Sequence, residues 1–72
     1  MLTYLLLSKN DKESIFLYFP NGNKNAPGKI SIDAKGTREL VSESDDDFGQ
    51  RYANHALNGI DPNKESGTIA WY

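Results

Sequence analysis

One stretch of this chain, Ser44 to Ile60, carries a helical repeat, and one helix cannot enclose a core unaided. On a period of about 3.6 residues, Phe48, Tyr52, Ala53, Ala56, Leu57 and Ile60 share one face, with Gln50, Arg51, Asn54 and Asn58 opposite. That apolar face calls for a sheet beneath it. Gly49, Ala53 and Ala56 lie within the stripe, so the helix axis can approach the sheet closely. Ser44 is the expected N-cap with Asp47 three residues on, and Asp45, Asp46 and Asp47 meet the positive end of the helix dipole. Gly59, or the Asp61-Pro62 step, ends the helix.

The remainder reads as strands. Leu2 to Leu7 and Ile15 to Phe19 are short apolar runs joined by the polar segment Ser8 to Ser14, the pattern of a hairpin. Both runs are apolar at odd and even positions alike, as central strands are. Pro20 to Gly28, with two prolines and Asn21-Gly22, is a loop that is free to move. Lys29 to Asp33 alternates polar and apolar, turning Ile30 and Ile32 inward. Ala34 to Thr37 is a turn, and Arg38 to Ser42 returns beside that strand as a second hairpin. After the loop Pro62 to Gly67, Thr68 to Tyr72 is a closing strand whose two terminal aromatics imply a docked end. The expected fold is therefore α+β: an antiparallel sheet of four to five strands, two hairpins and a C-terminal strand, packed on one α-helix within a single domain spanning residues 1–72.

A chain of 72 residues without cysteine has neither disulfides nor thiolate metal sites to supplement a thin core. The core stands alone or a partner subunit helps it. The N-terminal apolar run stops at Ser8, lacks a preceding basic region and is too short for a signal peptide. No run approaches the roughly 20 apolar residues that cross a bilayer, and no basic amphipathic segment offers itself to a membrane surface. The expected location is cytoplasmic, with no membrane partner. A net charge of −2 and pI near 5.1 argue against a nucleic-acid surface, which rests on clustered Lys and Arg.

Asp47-Phe48-Gly49, Tyr52-Ala53, His55-Ala56, the Gly28-Lys29-Ile30 segment and the closing Gly67-Thr68-Ile69-Ala70-Trp71-Tyr72 together resemble a family of short bacterial proteins to which no activity is attached. The resemblance runs over most of the chain. It implies one compact domain and transfers no activity, cofactor or partner to these residues.

His55 is the single histidine, but a catalytic role needs a nucleophile or carboxylate in reach and a metal needs further ligands. Neither is visible, so a structural role is expected. Glu43 to Asp47 lacks the alternating ligand spacing and the distal glutamate of a calcium loop, and the helix dipole accounts for the charge run. Asp47-Phe48-Gly49 matches the letters of a kinase magnesium motif without the rest of a kinase, and the glycines never form a phosphate-cradling spacing. No cofactor or small-molecule ligand is indicated, and no enzyme is expected. The aromatics remain. Most belong to the core, but if the helix covers one face of the sheet, Tyr4, Phe16, Tyr18 and Trp71 can be left on the other, with Tyr72 beside them. The reading is a non-enzymatic protein-interaction module, with self-association through an aromatic sheet face or a strand edge as one form of it. The alternative is single-stranded nucleic-acid binding by stacking of bases on the strand aromatics.

Overall fold

The computed structural model describes residues 1–71 and contains a five-stranded antiparallel sheet with one helix against it. The strands are β1 (Leu2–Lys9), β2 (Glu13–Pro20), β3 (Gly28–Asp33), β4 (Arg38–Ser42) and β5 (Ser66–Ile69), and the helix is α1 (Arg51–Gly59). Their order across the sheet is β4-β3-β2-β1-β5, so the run that is apolar on both faces, β2, occupies the centre. The fold is the α+β class that the sequence predicts. No helix is long and apolar enough to cross a membrane among the described residues.

Turn chemistry sets the register of the hairpins. Asn10 Oδ1 accepts from the N–H groups of Lys12 and Glu13 at 2.8 and 2.9 Å, closing the β1–β2 connection, and Asp33 Oδ1 does the same for Lys35 and Thr37 at 2.9 Å each, before β4. A bulge between Leu6 and Ser8 inserts Leu7 into β1. The long connection from Pro20 to Gly28 is tied down rather than loose: Asn23 donates to Asp46 at 2.8 Å and the Ser44 hydroxyl donates to the Ala26 carbonyl.

The core lies between the sheet and α1 and comprises Leu2, Tyr4, Phe16, Tyr18, Ile30, Ile32, Ala53, Ala56 and Ile60. Tyr4 and Phe16 meet edge to face with ring centroids 5.9 Å apart. Small helical residues allow this close approach. Ala53 and Ala56 are fully buried, and a Cβ on Gly59 would stand 2.8 Å from Ile69 Cδ1.

The helix begins later than its sequence predicts. Ser44 to Asp47 forms a turn, with the Asp47 N–H donating to the Ser44 carbonyl at 3.0 Å, and Gly49 and Gln50 are left-handed at φ 64° and 62°. A backbone with two successive left-handed residues cannot continue a right-handed helix, so α1 starts at Arg51. Ser44 is therefore not the N-cap, and Gly49 is not in the helix. Phe48, expected on the apolar stripe, is instead 79 % exposed. The last strand also differs: it begins at Ser66 and ends at Ile69, two residues ahead of Trp71.

Candidate interaction surface

Two tyrosines decide which face of the sheet is covered. Tyr18 pairs with Gly28 across β2 and β3, and Tyr4 pairs with Gly67 across β1 and β5. A Cβ on Gly28 would fall 2.0 Å from Tyr18 Cε1, and one on Gly67 would fall 2.5 Å from the Tyr4 hydroxyl, so each ring lies over a strand position kept bare for it. Each phenol then reaches the chain at one end of the helical segment. Tyr18 donates to Asp47 Oδ2 at 3.0 Å and accepts from the Ser44 N–H at 3.1 Å, while Tyr4 accepts a long 3.4 Å bond from the Asp61 N–H. Burial pushes the Tyr18 phenol up to about 12, opposed by the Ser44 bond and reinforced by the Asp47 carboxylate.

Asp47 is the true cap of α1. Its two carboxylate oxygens accept from the N–H groups of Tyr52 and Ala53 at 3.0 and 2.9 Å, at the positive helix end. At the other end the Arg38 guanidinium, on β4, donates to the carbonyls of Leu57 and Ile60 at 3.0 and 2.8 Å. The expected service of the acidic run to the helix dipole is thus performed by one carboxylate, from a loop outside the helix.

Tyr4, Phe16 and Tyr18 are buried in the core at 5 %, 0 % and 0 % exposure, which corrects their expected display on an open sheet face. The physical reason is register. Side chains alternate along a strand, and the Tyr–Gly pairs turn these three toward α1. Trp71 is half-buried against the helix, its indole stacked on His55 at 3.8 Å and 10° and edge-on to Tyr52 at 5.5 Å. Tyr72 lies outside the described residues. His55 thus anchors the indole. The depression of about 330 Å³ beside it is lined, among the described residues, by Met1, Arg51, Tyr52, Asn54, His55 and Trp71, whose side chains include no carboxylate or thiol. Among the described residues no group of three His, Cys, Asp or Glu could hold a metal ion.

No family model matches the chain, and no curated protein or solved structure matches it either.

With the aromatics turned to the helix, the opposite face of the sheet carries aliphatic side chains. Leu5 stands across from Leu17, which stands across from Lys29, and the neighbouring row runs Ile15, Ser31, Glu39. Leu5 is 46 % exposed, and Leu7 and Val41 are exposed as well, while Ile15 and Leu17 are half-buried. Thr3, Thr68 and Ser66 rim the β5 side. Phe19 also belongs to this face by alternation but is buried, in a groove that it lines with Thr3, Leu5, Lys24 and Thr68. These aliphatic residues were missed as site candidates because they share strands with aromatics. The signal that locates them is the pair of glycines opposite Tyr4 and Tyr18, which fixes the inward parity and leaves Leu5, Ile15 and Leu17 facing out.

Proposed function

We propose that this chain is a non-enzymatic protein-interaction module whose contact surface is the open face of its sheet. The reading is supported by one observation above the others: Leu5, Leu17 and Ile15 form a contiguous aliphatic strip at the centre of a sheet whose helix, α1, packs on the other side, with no further helix or strand among the described residues. A strip of this kind, rimmed by Thr3, Ser31, Ser66 and Thr68, has the apolar centre and polar border of a protein contact. The buried positions of Tyr4, Phe16 and Tyr18 shift the contact from aromatic to aliphatic side chains.

A photoreactive phenylalanine analogue placed at Leu17, with Asn54 on the exposed side of the helix as control, tests the surface in cells. The expected outcome is a protein adduct, with a second copy or another chain, from position 17 and none from position 54. Equal labelling from both positions, or none from 17, overturns the proposal.

A further inference from the structure

We infer that the occupant of the open face is a second copy of this chain, packed sheet on sheet about a two-fold axis that runs across the strands. The inference rests on the reading of that face as a contact surface and names its partner. Aligned sheets pack about 10 Å apart with inner side chains interdigitating. A two-fold interface brings the same patch together twice, so the patch must complement itself.

The two outward rows do so. From β1 to β3 one runs Leu5, Leu17, Lys29, and from β1 to β4 the row beside it runs Ser8, Ile15, Ser31, Glu39. An axis between them, perpendicular to the strands, lays the first row of one copy on the second row of the other. Leu5 then falls on the partner's Ser8, next to the bulged Leu7, Leu17 rests on the partner's Ile15, and Lys29 meets the partner's Ser31. The partner's Glu39, one strand further on, is about 4.8 Å to the side and within reach of the lysine stem. Each pair occurs twice. The next row out carries Glu13 opposite Asp33, and the same operation sets Glu13 against the partner's Phe19 and carries Asp33 just past the partner's Gly28, so neither carboxylate meets its own counterpart. An axis parallel to the strands and over β2 would instead set Lys29 on the partner's Leu5 and carry Glu39 past the end of β5, leaving the charges unmatched. Charge therefore selects the perpendicular axis.

Area sets the strength. Five strands at about 4.8 Å spacing, with about six residues each at about 3.3 Å, give a flat footprint of roughly 500 Å² per copy. The total of roughly 1,000 Å² lies at the lower bound for a specific interface, so the dimer is weak and forms with concentration.

Sedimentation equilibrium of the pure chain from about 10 μM to 1 mM, a range suited to a weak interface, reads the association directly. Dimer is expected within it, and Leu17→Asp is expected to be monomeric throughout while keeping the wild-type circular dichroism spectrum. Lys29→Glu and Glu39→Lys each weaken association by about tenfold, and the double exchange restores it, since the pair is rebuilt with reversed sign. A wild type that stays monomeric overturns the inference, and so does a dimer indifferent to Leu17→Asp. A double exchange no better than the singles overturns the proposed register. If the chain is monomeric while position 17 cross-links to other proteins, the second copy is the wrong occupant and the interaction surface stands. If position 17 also gives no adduct, both readings fall.

Discussion

Tyr18 is the residue on which the entry to the helix depends. Its hydroxyl is shared between the Asp47 carboxylate and the Ser44 N–H, both buried, and Asp47 in turn holds the first N–H groups of α1. Removing the hydroxyl leaves a buried carboxylate oxygen and a buried amide short of a partner, and such losses cost about 1–3 kcal/mol. Tyr18→Phe is therefore expected to lower the urea midpoint with an unchanged slope, as equilibrium unfolding would measure. Asp47→Ala is expected to cost more, because the helix cap goes with the phenol bond. The same phenol makes the fold sensitive to alkali. Its pKa is about 12 in the folded chain, mainly through burial, against about 10 when unfolded. A raised pKa contributes stability fully present below about pH 10 and lost as pH climbs through about 12. Urea midpoints taken across that window are expected to fall in the wild type, and the fall attributable to Tyr18 is expected to vanish in Tyr18→Phe. An equal decline in both proteins would show that the loss arises elsewhere.

At the scale of elements, the first four strands were legible, while the bounds of the last strand and the start of the helix were not. β4 occupies Arg38–Ser42 as its turn signals and alternation predict, and the parity of Ile30 and Ile32 in β3 is also as expected. These depend on local pattern. The helix start depended on competition between two local solutions. Ser44 followed by acidic residues fits an N-cap, yet its hydroxyl bonds the Ala26 carbonyl, and the capping passes to Asp47 across a left-handed Gly49-Gln50 step. Gly49 was a visible hint that the helix had not begun. Sequence parity alone also left both faces of β1 and β2 apolar, so the buried aromatics and the open aliphatics could be told apart only through their glycine partners on β3 and β5. The left-handed Gln50 yields a prediction of its own. A side chain in that conformation costs about 1 kcal/mol that glycine does not incur. Gln50→Gly is expected to raise thermal stability despite deleting a side chain, whereas Ala53→Gly, inside α1, is expected to lower it; differential scanning calorimetry would separate the two.

For the molecule as a whole, the two faces of the sheet have unequal tasks. A chain of 72 residues has roughly 4 to 11 kcal/mol of stability at about 0.05–0.15 kcal/mol per residue. Its helix-facing layer holds nearly all of the fully buried side chains, with Phe16 at its centre beneath Tyr4. Phe16→Ala removes about 3–5 kcal/mol, enough to populate the unfolded chain at ordinary temperature. Leu5 lies on the same hairpin one residue from Tyr4 and is 46 % exposed. Leu5→Thr keeps a strand-favouring side chain, so its cost in a dilute monomer is expected to stay within about 0.5 kcal/mol. Denaturant unfolding at micromolar protein would measure both. Should Leu5→Thr prove as damaging as Phe16→Ala, the outer face would belong to the monomer's own core, and neither the interaction surface nor its two-fold partner would have room to exist.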